Sequence, residues 1–158
     1  VNRYRAEEIA AMAHKDQVDL CGEPYILHPT AVAKAVRSYP DAEDIEPYVC
    51  LAWIHDVAED TLYRIDPDEL GEELILAYLS ITRKKGEVYA DYIWRLCDDP
   101  IASIVKLADL WHNLQPVRLE CLPEAQQASL TRRYLAARNQ IWLANRTEWW
   151  PEVLQGKQ

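Results

Sequence analysis

Val49-Cys50-Leu51-Ala52-Trp53-Ile54-His55-Asp56-Val57-Ala58-Glu59-Asp60 is an apolar segment that ends in a cluster of ionisable side chains. Its period is helical. Val49, Ala52, Trp53 and Asp56 fall at i, i+3, i+4 and i+7, so Asp56 prolongs the stripe that would face a core. Leu51, His55 and Glu59 share the adjacent stripe. The spacing predicts one helix over residues 47–60, with the His55-Asp56 pair largely buried. A carboxylate buried without a partner costs several kcal/mol, so Asp56 requires a cation or hydrogen bonds.

The same arrangement recurs further on. Val105, Asp109 and Asn113 stack at i, i+4 and i+8, with Ile101, Ile104 and Ala108 alongside, so Asp109 also sits among apolar neighbours. His28 falls in a loop predicted over 18–29, punctuated by Gly22, Pro24 and Pro29. Each of these residues alone has an ordinary structural explanation as a hydrogen-bonded core group. Their conjunction is different. A loop imidazole, a His-Asp pair and a distal Asp form a nitrogen and oxygen donor set suited to Mn²⁺, Fe²⁺ or Zn²⁺. Of the other two histidines, His14 is read as structural and His112 as helix-packing or rim, neither as a ligand.

Working outward, the remaining runs are also helical in period. Helices are predicted over 5–17 and 30–39, over 66–81 after Asp66-Pro67, and over 87–98. Asp99-Pro100 starts a helix that ends near Leu114, and Pro123 opens a last one over 124–148. No strand alternation and no repeat is evident. The expectation is an all-α domain of six or seven helices over 1–151, followed by a frayed tail over 152–158. A length of 158 residues suits one domain, and an apolar share of 49% supplies its core. Cys21, Cys50, Cys97 and Cys121 contain no CxxC and are read as isolated thiols in a reducing compartment. Trp142, Trp149 and Trp150 are read as core rather than interface, and oligomeric state is left open.

Charge narrows the partners. The formal net charge is −9, which argues against a nucleic-acid backbone or an anionic membrane, since both need a basic face. No apolar run approaches the length of a spanning helix and no signal-peptide pattern opens the chain, so a cytoplasmic protein with a small-molecule ligand is expected.

Three segments carry a family resemblance: Gly22-Glu23-Pro24-Tyr25-Ile26-Leu27-His28-Pro29, Ile54-His55-Asp56-Val57-Ala58-Glu59-Asp60-Thr61, and Val105-Lys106-Leu107-Ala108-Asp109-Leu110-Trp111-His112-Asn113-Leu114. In this order and spacing the chain resembles the HD-domain phosphohydrolases. Within them it is most similar to the hydrolase domain of RelA/SpoT-type enzymes and to the single-domain small alarmone hydrolases. The resemblance implies an all-α bundle with a central metal. It implies that His28, His55, Asp56 and Asp109 hold one Mn²⁺, that Glu59 and Asp60 assist proton transfer from water, and that Asn113 contacts the substrate. The implied reaction removes pyrophosphate from the 3′ position of (p)ppGpp. On this footing Arg83, Lys84 and Lys85 could meet further phosphates, and Tyr89 or Tyr92 could line the pocket. Two positions depart from the family. Asp19-Leu20 stands where an Arg-Lys pair is usual, and Gln115-Pro116 where an Arg-Thr pair is usual. A carboxylate does not stack on a base as a guanidinium does. Another nucleotide (a dNTP, an adenosine alarmone or NADPH), or nucleotide binding without turnover, therefore stands as the alternative.

Overall fold

The computed structural model describes residues 1–151. The chain runs through α1 (Arg3–Ala13), α2 (Leu27–Val36), α3 (Glu46–Ile54), α4 (Val57–Asp60), α5 (Pro67–Leu70), α6 (Glu72–Ile81), α7 (Tyr89–Leu96), α8 (Pro100–Asn113), α9 (Pro116–Leu119) and α10 (Glu124–Asn145). Among the described residues there is no strand, only an isolated antiparallel bridge between Val18 and Pro24. No helix there is long and apolar enough to cross a membrane. The expected tail over 152–158 lies outside the described residues.

The start signals act as expected. Asp99 caps α8 by accepting a hydrogen bond from the Ala102 amide at 2.8 Å, with Pro100 in the first turn. Asp66 caps α5 in the same way through the Asp68 amide at 3.0 Å. Helices α2, α3 and α8 pack on one another, α1 lies on α3, and α6 and α10 cover α8. Val32, Val36, Leu51, Ile54, Leu107 and Leu110 are fully buried where these helices meet. Each such side chain contributes about 1.5–3 kcal/mol by leaving water. Polar groups placed at this junction, His28, His55 and Asp109 among them, are largely shielded from solvent.

Several boundaries differ from the sequence expectation, each for a local reason. The predicted 47–60 helix is broken into α3 and α4 by a turn at His55 and Asp56. His55 Nδ1 lies 2.7 Å from the Ala52 carbonyl and donates to it, replacing a helical N–H at the end of α3. The 66–81 helix is divided at Gly71, whose φ of 80° suits glycine and not a side-chain-bearing residue. Pro116 ends α8 and also opens the short α9.

The cysteine expectation is corrected. Cys21 and Cys121 form a disulfide across 100 residues, with Cα atoms 5.6 Å apart. Linear spacing gives no sign of a pair created by packing the 18–24 loop against the segment between α9 and α10. Cys50 and Cys97 are free. The three C-terminal tryptophans are half-buried against the core, as expected.

Candidate metal centre

His28 lies in the first turn of α2 rather than in a loop, because that helix begins at Leu27. His55 and Asp56 occupy the turn after α3, and Asp109 lies on the inner face of α8. The α2–α3–α8 junction brings these four side chains together. His28 Nε2 is 3.0 Å from Asp109 Oδ1 and 3.3 Å from Asp56 Oδ2. His55 Nε2 is 2.9 Å from Asp56 Oδ2, 3.8 Å from Asp109 Oδ1 and 3.3 Å from His28 Nε2. His28, His55 and Asp109 are no more than 3% exposed. His28, His55 and Asp56 form a group whose ligand atoms could share one metal ion, and Asp109 Oδ1 adds a fourth donor beside them.

The donor chemistry fits a cation. Burial opposes charge on His55, yet Asp56 and the hydrogen bond to Asp109 outweigh it and raise its pKa to about 10. Burial likewise opposes ionisation of Asp56 and Asp109. The neighbouring imidazoles, and for Asp109 above all Lys106, nonetheless hold both well below the usual carboxylate range. The cluster thus calls for positive charge at the point where two ring nitrogens and two carboxylate oxygens meet.

Around the rim the predicted acid pair is in place. Glu59 and Asp60 lie on α4, at the exposed edge of the cluster. Partial burial of their carboxyls, and the Asp56 charge next to them, raise both pKa values. Tyr25 Oη lies 2.7 Å from Asp56 Oδ2 and 2.7 Å from Asp60 Oδ2. One hydroxyl hydrogen serves one acceptor at a time, so Asp56 and Asp60 share Tyr25 as a common donor. His14 stacks on the Tyr25 ring, with centroids 4.8 Å apart, and supports it from behind.

Asn113 is also at the centre. Its Nδ2 donates to Asp109 Oδ1 at 2.5 Å, and its Oδ1 accepts from Arg118 at 3.0 Å. Arg118 in turn pairs with Asp19 at 3.1 Å, so the departure at Asp19 is matched by a guanidinium from α9. The basic turn is less direct. The Arg83 amide donates to Glu59 Oε1 at 2.8 Å, while its guanidinium turns to the Glu87 carbonyl. Lys84 is exposed and contributes only its amide, to Glu87 Oε2. The Arg83 and Arg133 guanidinium groups lie 5.7 and 5.0 Å from the Tyr89 ring centre, and the buried Tyr89 hydroxyl has no hydrogen-bond partner among the described residues. Tyr92 is committed to the Ile81 carbonyl at 2.6 Å.

Four groups at the centre were not singled out from the sequence as site residues: Tyr25, Lys106, His112 and Arg118. Lys106 Nζ lies 2.7 Å from Asp109 Oδ2, an i, i+3 pair that helical spacing could have revealed. His112 Nδ1 lies 2.7 Å from His28 Nδ1, a contact beyond the helix-packing or rim role expected of it. The Arg118 ion pair carries no local signal, since its carboxylate partner Asp19 is distant in the chain.

Comparison with known proteins gives this geometry a context. The chain matches no protein-family model. It is 32% identical over 142 residues, 83% of its length, to the bifunctional (p)ppGpp synthase/hydrolase RelA of Mycobacterium tuberculosis. It is 33% identical over 123 residues, 68% of its length, to the guanosine-3′,5′-bis(diphosphate) 3′-pyrophosphohydrolase of Haemophilus influenzae. The chain spans only 19% and 17% of those two proteins. A solved structure described as a metazoan orthologue of SpoT that hydrolyses ppGpp superposes with a TM-score of 0.70. That match has 18% identity and covers 91% of this chain and 93% of the other. This chain is a RelA/SpoT homologue. Its fold is the all-α HD-domain fold of that neighbour. In the RelA/SpoT homologue, the His-Asp cluster sits where α2, α3 and α8 converge, at the middle of that fold.

Proposed function

We propose that this RelA/SpoT homologue is a Mn²⁺-dependent nucleotide phosphohydrolase that removes the 3′-pyrophosphate of (p)ppGpp-like alarmones. The observation that carries the reading is the convergence of His28 Nε2, His55 Nε2, Asp56 Oδ2 and Asp109 Oδ1, with Glu59 and Asp60 on the open side. The Haemophilus relative's name, and the ppGpp hydrolysis described for the metazoan structure, support the choice of substrate.

His28, His55, Asp56 and Asp109 would hold the ion. When bound, it would supply Lewis acidity toward phosphoryl oxygens and a lowered water pKa. The protein's own groups do the rest. Glu59, with a pKa raised by partial burial, is suited to take a proton from the attacking water. Asp60, linked through Tyr25 to Asp56, is suited to return one to the leaving sugar oxygen. Lys106 keeps Asp109 ionised. Asn113 would orient the nucleotide from one side, and Arg83 with Tyr89 would face its phosphates from the other. Lys84, exposed beside them, would add positive charge without contact to the centre. Residues 1–151 would act as one catalytic domain. A net charge of −9 suits a small nucleotide held by local cations, rather than nucleic acid or a membrane surface.

A second reading rests on the Asp19–Arg118 pair. That guanidinium is already neutralised and hydrogen-bonded, so the wall of the pocket differs from one built on a free arginine. A nucleotide with another base fits this wall as a redirected substrate of the same metal chemistry. Incubating the Mn²⁺-loaded protein with ppGpp, its adenine counterpart, dNTPs and NADPH separates the two. Preference for ppGpp supports the first reading, and turnover confined to another nucleotide supports the second. A protein that binds nucleotide and turns over none would contradict both.

A further inference from the structure

Each candidate ligand histidine uses its second ring nitrogen differently. His55 Nδ1 faces the Ala52 carbonyl at 2.7 Å. A carbonyl only accepts, so the neutral His55 ring carries its proton on Nδ1 and presents its Nε2 lone pair to a cation. His28 has no such partner. Its Nδ1 lies 2.7 Å from His112 Nδ1, and a ring nitrogen can donate or accept. His28 is 1% exposed, so water does not replace this contact. One proton occupies the bond. If it belongs to His28, His28 Nε2 offers a lone pair toward Asp56 and Asp109. If it belongs to His112, His28 Nε2 carries its own hydrogen and blocks the metal position.

We propose that His112 is a positioning residue of the metal centre, which accepts the His28 Nδ1 proton and so holds His28 in its metal-binding tautomer. The bond requires the His112 proton to lie on Nε2. The two rings meet edge to edge, with centroids 5.0 Å apart and planes tilted by 30°, which places Nδ1 against Nδ1. His112 stands one turn after Asp109 on α8, so a single helix supplies a ligand and the group that orients another ligand from α2. Hydrogen-bond partners of this kind are worth about 10–100-fold in metal affinity. The inference rests on the proposed role of His28 as a ligand.

The test is Mn²⁺ binding followed by electron paramagnetic resonance, with no nucleotide present. Wild type is compared with His112→Phe, His112→Asn and Asp56→Ala. Phenylalanine retains the packed ring and lacks the acceptor, so His112→Phe should weaken Mn²⁺ about 10–100-fold while melting near the wild-type temperature. Asparagine places an amide oxygen close to the position of Nδ1, so His112→Asn should recover most of the affinity. Equal affinity in wild type and His112→Phe would overturn the role of His112 and leave the metal centre intact. Equal and negligible binding by wild type and Asp56→Ala would instead overturn the metal centre, and the inference with it. Long-range proton–nitrogen correlation spectra of the Zn²⁺-loaded wild type give a readout independent of any variant. They should show His28 protonated at Nδ1 and His112 at Nε2, and the reverse assignment for His112 would contradict the proposal.

Discussion

Lys106 is the residue on which the electrostatics of the centre turn. Its Nζ is 2.7 Å from Asp109 Oδ2, and although burial opposes its charge, Asp109 raises its pKa well above the ordinary lysine value. Removing one member of a buried pair costs about 3–5 kcal/mol, because the other charge is left uncompensated. Lys106→Met should therefore lose stability in metal-free protein, by less than that figure because His28, His55 and Asn113 still support Asp109. Excess Mn²⁺ should restore part of it, since the ion offers Asp109 a second cation. Denaturant titrations with and without Mn²⁺ check this, and an equal loss in both conditions would contradict it. Tyr25→Phe is a subtler change. It deletes the hydroxyl shared by Asp56 and Asp60 and keeps the ring on His14, so stability should fall by only about 1 kcal/mol. Turnover should fall by about tenfold or more with Mn²⁺ affinity little changed, if the hydroxyl relays a proton. Unchanged turnover would leave Tyr25 a structural role only.

Helices place these residues, and the joints between helices carry much of the surprise. Asp109 and Asn113 were legible because i, i+4 spacing on α8 is a local property. His55 and Asp56 were legible as a pair, but the turn that separates α3 from α4 was not, because it depends on the His55 side chain taking the Ala52 carbonyl. Period alone does not reveal such an exchange. The same holds for the loop between α6 and α7. There Glu87 binds the Arg95 guanidinium at 2.8 and 3.0 Å and the Lys84 amide at 2.9 Å, which fixes the turn bearing Arg83. The Arg95 hydrogen bonds hold Glu87 down to about 2, below its ordinary value of 4.5. A depressed folded-state pKa contributes stability that is present above the unfolded value and is lost as pH falls through the folded one. Wild type and Glu87→Gln should thus differ in urea midpoint at neutral pH and converge as pH falls from 4.5 toward about 2. A difference that does not change with pH would rule out the ion pair as its source.

At the scale of the whole molecule, the helical class was readable, and so were Asp56 and Asp109 as buried charges, because buried charges on apolar stripes are rare and costly. The pairings between distant segments were not. Cys21 with Cys121, Asp19 with Arg118, and His28 with His112 meet only through the packing of α2, α8 and the segments around them. The disulfide closes a loop of 100 residues. A native cross-link of this kind contributes about 2–5 kcal/mol. Reduced protein, or the Cys21→Ser/Cys121→Ser double variant, should lose about that much against urea. A midpoint unchanged by reduction would show that the packing alone secures this edge of the site.

The central claim is that the His-Asp cluster runs hydrolysis of a nucleotide's 3′-pyrophosphate. The most direct measurement incubates Mn²⁺-loaded protein with ppGpp and follows GDP and pyrophosphate, alongside Asp56→Ala and a chelator-treated sample. Both products should be released by the loaded wild type, and neither by the other two. Intact ppGpp after prolonged incubation with wild type shown to carry Mn²⁺ would contradict that claim.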